Sequence, residues 1–436
     1  MTNAQIMERD LAHIWHPCTQ MKDHESIPLI PIKKAKGVYL YDFDGNRYID
    51  GISSWWVNLF GHQNPYINEK IQEQLAVLEH VIFAGFTHEQ IVRLSERLVT
   101  ITPNGLNKCF YADNGSSAIE VALKMSFHYF KNRGETRPYF VSLTNSYHGE
   151  TLGALAVGDV ELYKETYEEI MIRTLQAKVP KDRSEKATDE AIKDLQRIFE
   201  THKGEISAFI VEPLVQCAGY MHMYAPEYLT KAKRLCEAYD IHFIADEIAV
   251  GFGRTGTMFA CEQAGISPDF MCLSKGLTGG YLPLSVVLTT DDVYNAFYCD
   301  YNEFKAFLHS HSYTGNALAC AAANATLDIF EREDVIEKNR VKIEYIKQKL
   351  QTFSELPCVK EVRQTGMIAA VELQGFDPKE RIGLHINQTC LKKGIFIRPL
   401  GSVVYFMPPY IIDFEEIDTM IEGVYETIKE LCGRTS

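Results

Sequence analysis

The sequence predicts an α/β fold, with a large domain on a mostly parallel central sheet and a small α+β domain built from the N- and C-terminal segments. Three observations lead there. From about residue 100 to residue 330, short apolar runs alternate with stretches of helical spacing, as in strands joined by crossover helices. Beyond about residue 335 the texture changes to a charged helix and short strands. Two apolar runs stop at chemically useful side chains: Ile241 to Ala245 runs into Asp246 and Glu247, and Phe270 to Leu273 runs into Ser274, Lys275 and Gly276.

Each element has its own signal. Val38 to Asp50 reads as a hairpin with Asp44-Gly45 at the turn. Residues 65–80 and 88–101 have helical spacing. Phe110 to Asp113 is a short strand, followed by a helix from Ser117 to about Lys131 for which Ser117 and Glu120 fit a capping box. Tyr139 to Leu143, Ser207 to Val211 and Leu284 to Thr289 are further strands, and Glu227 to Tyr239 and Ala317 to Phe330 are helices. The last hundred residues predict a helix from Val335 to Phe353, strands at Val359 to Arg363, Met367 to Leu373 and Ile395 to Arg398, and a final helix over 414–432. The division expected is 1–60 packing with the small domain, 61–334 as the large domain and 335–436 as the small one.

Composition narrows the function. The chain has 436 residues and a net charge of -14, which argues against nucleic acid and anionic membrane as partners. No apolar run is long enough to span a bilayer, and the first residues lack a signal-peptide pattern. The 11 cysteines show no CxxC pair and read as free thiols in a reducing cytoplasm. His309 and His311 have no further ligand at metal-binding spacing, so no metal site is expected.

In an open α/β sheet, ligands sit at the carboxyl ends of the strands. Asp246 and Lys275 would reach the same rim. A lysine can hold an aldehyde cofactor covalently, and an aspartate can keep a pyridine nitrogen protonated. Taken singly, either motif is more often a turn or a helix start. Their combination with the loop from Gly251 to Gly256 favours the cofactor. Asn114 to Ser117 opens a helix after a strand, where free N–H groups suit a phosphate. Tyr147 follows a strand and could stack on a planar ring. Glu212 ends another strand and could bond a cofactor hydroxyl or a substrate. His309 to Asn316 offers hydroxyls before a small-residue helix. Arg398 could clamp a carboxylate.

In this order and at these spacings, the motifs resemble the class III pyridoxal-phosphate aminotransferases, over nearly the whole chain. The most specific part is IADEIAVGFGRTG (Ile244 to Gly256) followed by SKGLTGGYLPLS (Ser274 to Ser285). Within the family, HIWHPCTQM (from His13), DGISSWWVNLFGH (from Asp50), GNALACAAANA (from Gly315) and VVYFMPPYII (from Val403) resemble the branch that acts in biotin synthesis.

The resemblance implies a pyridoxal-phosphate transferase of fold type I and a homodimer with active sites at the subunit interface. It implies pyridoxal 5'-phosphate as cofactor, S-adenosylmethionine as amino donor and 8-amino-7-oxononanoate as acceptor, in a ping-pong cycle. It gives Lys275 the covalent and proton-carrying role and Asp246 the pyridine nitrogen. Tyr147 stacks on the ring, and Gly115 and Ser116 bind phosphate. Ser310, His311 and Ser312 supply a phosphate contact from the partner subunit. Trp55 lines the substrate pocket, Arg398 holds the acceptor carboxylate and Arg254 helps set substrate choice.

Cys18 stands where that branch usually has a substrate-contacting tyrosine. Glu150 replaces an aspartate, and Ser312 replaces a threonine. The Cys18 change leaves lysine open as the donor. The other readings are an ω-amino acid aminotransferase of the same class and, further off, an aminomutase or decarboxylase on the same fold.

Overall fold

The structure, a computed structural model, describes residues 1–435. Its first strands are β1 (Ile32–Lys36), β2 (Tyr39–Asp42) and β3 (Arg47–Asp50). The central sheet takes β4 (Leu106–Ala112), β5 (Tyr139–Leu143), β6 (Thr174–Ala177) and β7 (Ile206–Val211). A small ribbon of β8 (Val215–Gln216) and β9 (His222–Met223) follows. Then β10 (His242–Asp246), β11 (Phe270–Leu273) and β12 (Ser285–Thr290) complete the central sheet. The last strands are β13 (Val359–Thr365), β14 (Ile368–Leu373), β15 (Ile395–Phe396) and β16 (Val403–Phe406).

The seven-stranded sheet has the order β4-β12-β11-β10-β7-β5-β6. β10 runs parallel to β7 and β11, and β5 runs parallel to β6 and β7. β12 alone is antiparallel to its neighbours β11 and β4. The connection from Leu273 to Ser285 explains it, since a parallel return needs a crossover of a dozen residues or more, usually a helix. This one holds only a single 3-10 turn, Lys275–Thr278.

Helices cover both faces, so the inner strands β7, β10 and β11 are buried along their whole length and read as largely apolar runs, while the edge strands β4 and β6 are partly exposed. Alternate residues still face opposite sides: Phe243 and Ala245 join the larger core, and Ile244 joins the smaller one beneath helix Gly115–Asn132. That helix begins two residues before Ser117, and its cap is Asn114, whose side chain accepts from the Ser117 N–H. The Ser117 capping box is therefore corrected: Gly115 and Ser116 already have helical neighbours. The sequence reading also passed over the helices Asn3–Leu11, Glu185–Thr201 and Ile382–Lys392, and the strand β16.

The two chain ends meet in one sheet, where β15 pairs with β3 in parallel, Ile395 opposite Ile49. The cysteine expectation is partly overturned: Cys358 and Cys432 are bonded to each other with 5.6 Å between their Cα atoms, and among the described residues nine cysteines are free. Their separation of 74 residues hides the pair in the sequence.

The Asp42 carboxylate gathers the N-terminal segment. It accepts from the backbone N–H groups of Asp44 and Asn46, from the amides of Asn46 and Asn3, and from the Tyr48 hydroxyl. Burial alone would raise its pKa, but these hydrogen bonds outweigh burial and bring it to about 2. A carboxyl depressed in the folded state stabilises the fold above its unfolded pKa and loses that contribution as pH falls through the folded one. The Asp42→Asn variant should therefore melt several degrees below the parent at neutral pH. The gap should narrow between about pH 4 and pH 2, as measured by thermal denaturation.

Candidate active site

Five parallel strands of the central sheet end on one rim, and the loops after them bring the predicted residues together. Asn114 to Ser116 follow β4, Tyr147 and His148 follow β5, Glu212 follows β7, Asp246 ends β10 and Lys275 follows β11.

At one end of the rim is the N-terminus of helix Gly115–Asn132. Asn114 satisfies the Ser117 N–H, at 3.0 Å, and its carbonyl takes the Ala118 N–H. Among the described residues, nothing accepts from the N–H groups of Gly115 and Ser116. These two donors, at the positive end of the helix dipole, can hold an anion. Ser116 Oγ also accepts from the Glu150 N–H at 3.2 Å, which ties the turn after β5 to the helix. Gly149 allows that approach: its φ is +126°, and a Cβ there would lie 2.1 Å from Ser116 Oγ.

In the middle of the rim, Asp246 is buried, and its Oδ2 lies 2.7 Å from His148 Nδ1. A carboxylate can only accept, so Nδ1 carries the proton. Asp246 Oδ1 takes the Ile248 N–H at 3.1 Å. Among the described residues, His148 Nε2 is buried without a partner. Glu212 turns both oxygens to backbone donors, the N–H groups of Tyr147 and Cys217 at 2.9 and 3.0 Å. The glutamate therefore shapes the turn that presents Tyr147. Burial raises its pKa to about 7. Glu247 caps the chain at Ala260 and Cys261 and points away from this group.

Lys275 sits in a left-handed backbone conformation, φ 45°, with its Nζ 4.5 Å from the centre of the Trp56 ring. Burial lowers its pKa, while Cys217, Asp246 and Glu212 pull the other way. The amine is thereby moved toward its neutral, nucleophilic form.

Around these groups stand the residues of the pocket mouth. Arg398 lies over the Trp55 ring at 4.8 Å and donates to the Cys18 carbonyl at 3.2 Å. Cys18 Sγ is 3.8 Å from Glu150 Oε1, which also accepts from the Tyr147 hydroxyl at 2.9 Å. Burial and the nearby Glu150 push the Cys18 thiol up. The two tryptophans come from four successive residues, Ser53 to Trp56, that all have positive φ. Such a conformation costs roughly 1–2 kcal/mol per non-glycine residue.

One expectation meets a different geometry. Arg254 is 1% exposed, and its guanidinium donates to the carbonyls of Pro408 and Asn58 at 2.8 and 3.1 Å. It is held inside the protein framework and does not project into the mouth. Ser310, His311 and Ser312 do not join the cluster within one chain. His311 pairs with Asp113 at 3.3 Å, and the Ser312 carbonyl takes a hydrogen bond from His80. Sequence reasoning missed the contact of His148 with Asp246, the place of Trp56 under Lys275 and the cap at Asn114. The one available signal for His148 was its position directly after the strand-end aromatic residue.

The profile of the aminotransferase class-III family matches residues 19–428. The chain belongs to the class III aminotransferases. This aminotransferase is 54% identical over 428 residues to the adenosylmethionine-8-amino-7-oxononanoate aminotransferase of Helicobacter pylori, covering 97% of each chain. It is 43% identical to the enzyme of the same name from Geobacter sulfurreducens, over 98% of each. The crystal structure of the adenosylmethionine-8-amino-7-oxononanoate aminotransferase of Methanocaldococcus jannaschii superposes with a TM-score of 0.94 at 37% identity, covering 98% of this chain and 99% of that one. An ω-transaminase of Pseudomonas jessenii in complex with PMP superposes with a TM-score of 0.93 at 27% identity, over 99% of both.

Class III aminotransferases are pyridoxal-phosphate enzymes, and the rim suits that cofactor. It offers unsatisfied N–H donors at one end, a buried carboxylate in the middle and a lysine beyond. Gly149→Ala should force the turn away from Ser116. The expected result is at least a tenfold weaker hold on pyridoxal phosphate, measured by equilibrium dialysis, with the fold retained by circular dichroism.

Proposed function

We propose that this aminotransferase transfers an amino group from S-adenosylmethionine to 8-amino-7-oxononanoate, giving 7,8-diaminononanoate for biotin synthesis. The observation that carries this reading is the 54% identity, over 97% of both chains, to a relative of that name. The pocket mouth supports it: the Arg398 guanidinium suits a carboxylate, and the Trp55 ring beside it offers an apolar wall.

Pyridoxal phosphate, when bound, supplies an aldehyde that carries the amino group and a ring that draws electrons from the substrate carbon. Gly115 and Ser116 bind its phosphate through their N–H groups. The Asp246 carboxylate, oriented by His148, keeps a proton on the ring nitrogen. Tyr147 covers the ring. Lys275 holds the cofactor and afterwards carries a proton at Nζ. Burial suits it to both tasks, because a neutral amine can attack and can accept a proton. Arg398 binds the acceptor carboxylate, and Trp55 lines the pocket. Arg254 acts from behind, holding the chain at Asn58 and Pro408 where the pocket wall is framed. One pocket serves donor and acceptor in turn.

The division into 1–60, 61–334 and 335–436 belongs to the same proposal, as do a cytoplasmic location and a homodimer. In the homodimer, Ser310, His311 and Ser312 of one copy reach the phosphate of the other. The exposed Phe304, Leu308 and Tyr313 around that segment are the kind of surface a second copy covers.

A second reading keeps the acceptor and changes the donor to lysine. Cys18 favours it, because a small thiol beside Glu150 offers no aromatic face for an adenine.

Four outcomes test the proposal. Cofactor-loaded protein mixed with S-adenosylmethionine should lose the absorbance band of the lysine-bound cofactor and gain that of the pyridoxamine form. Loss of the band with lysine alone would change the donor, and loss with neither would reject both readings. Lys275→Ala and Asp246→Asn should each lower turnover by at least a thousandfold, and near-normal turnover in either would displace that residue from its role. Arg398→Ala should raise the acceptor KM by tenfold or more with the donor half-reaction little changed. Sedimentation should give twice the chain mass.

A further inference from the structure

The turn that carries both tryptophans is left-handed throughout. Ser53, Ser54, Trp55 and Trp56 have φ of 53°, 48°, 74° and 73°. None is glycine, the residue that takes this conformation freely. Such a run persists only where its surroundings over-determine it.

Asp50 supplies much of that determination. It is fully buried at the end of β3. Its Oδ1 accepts from the Ser54 N–H at 2.8 Å. Its Oδ2 accepts from the Ser54 hydroxyl at 2.6 Å and from His62 Nε2 at 3.0 Å. His62 is held in turn by Asn58, at 3.3 Å from Nδ1. Two further ties fix the ends of the turn: Ser53 Oγ donates to the Met407 carbonyl at 2.7 Å, and Trp56 Nε1 donates to the Tyr405 hydroxyl at 3.1 Å.

The turn has two outputs. Trp55 meets Arg398 at 4.8 Å, and Trp56 meets Lys275 at 4.5 Å. A right-handed turn of the same four residues would throw the two indoles to other sides.

We propose that Asp50 is a positioning residue for the transamination. Its carboxylate holds Ser53 to Trp56 left-handed, and the turn sets one indole against Arg398 and the other against Lys275. The kinetic part rests on the transaminase reading above; the conformational part stands without it.

The test is Asp50→Asn, alone and combined with Ser54→Gly. Asparagine keeps the volume and one acceptor, but it sets an N–H group against the N–H of His62 Nε2, which needs an acceptor, and takes away the carboxylate oxygen to which the Ser54 hydroxyl donates. Three changes are expected in Asp50→Asn. The near-ultraviolet circular dichroism of the cofactor-free protein, which contains three tryptophans, should change. The pH midpoint of the lysine-bound cofactor band should fall, because a ring face near Lys275 favours its cationic form. The half-reaction kcat/KM should drop at least tenfold.

Glycine at 54 takes the left-handed conformation without a cap, so the double variant should recover at least threefold of the lost kcat/KM. An Asp50→Asn protein within twofold of the parent, or a double variant no better than the single one, would overturn the proposal. Should Asp50→Asn fail to fold, Ser54→Ala decides: a several-fold loss at unchanged melting temperature supports the proposal, and parental kinetics overturn it. A parent inactive with every donor would sink the transaminase reading, while the circular dichroism would still decide the role of Asp50.

Discussion

The amine of Lys275 sits among groups that each resent burial. Desolvation lowers its pKa, the same desolvation raises that of Glu212 to about 7, and Asp246 lies buried beside them. A lone buried charge is strongly disfavoured, so the fold has to provide partners at fixed distances. Backbone N–H groups hold Glu212, His148 and the Ile248 N–H hold Asp246, and the Trp56 ring lies against Lys275. The turn after β5 supplies a partner to each carboxylate, Tyr147 to Glu212 and His148 to Asp246, and the N-terminal segment supplies Trp56 to Lys275. The rim therefore works only when β5, β7, β10 and β11 end in register, which their parallel pairing imposes.

The same requirement reaches the other end of the chain. Ser53 bonds the Met407 carbonyl, Trp56 bonds Tyr405, and Arg254 bonds the carbonyls of both Asn58 and Pro408. β15 lies beside β3. The segment that presents the tryptophans is thus pinned from the C-terminal side and also by its own side chains. The arginine carries out this pinning because its planar fork can satisfy two carbonyls at once, as a lysine could not with the same geometry.

Much of this was legible in the sequence where local pattern and tertiary role coincide. β10 and β11 are short apolar runs with a functional residue at the end, and both lie where their pattern placed them, within a residue. Tyr147 follows the strand β5 as its place in the sequence indicated. The signals that failed were those whose meaning is made by distant partners. Glu212 looked like a ligand contact and is occupied by two backbone amides. Arg254 sits in the glycine-rich loop from Gly251 to Gly256, and the carbonyls it meets lie about two hundred residues before it and about a hundred and fifty after it. Cys358 and Cys432 had no motif to announce them. The left-handed run at Ser53 to Trp56 contradicts the preference of all four residues, so no propensity argument could have found it.

The place of β4 has a consequence for how the protein is made. It lies at the edge of the central sheet, and among the described residues β12 is its one neighbour there. That neighbour leaves the ribosome roughly 170 residues later, which at ordinary rates of synthesis is about nine to thirty-five seconds. Throughout this interval the strand that precedes helix Gly115–Asn132 has unpaired backbone on both sides. Such an edge is open to pairing with another nascent chain. The demand on chaperones should therefore be concentrated early in translation, well before Lys275 has been added.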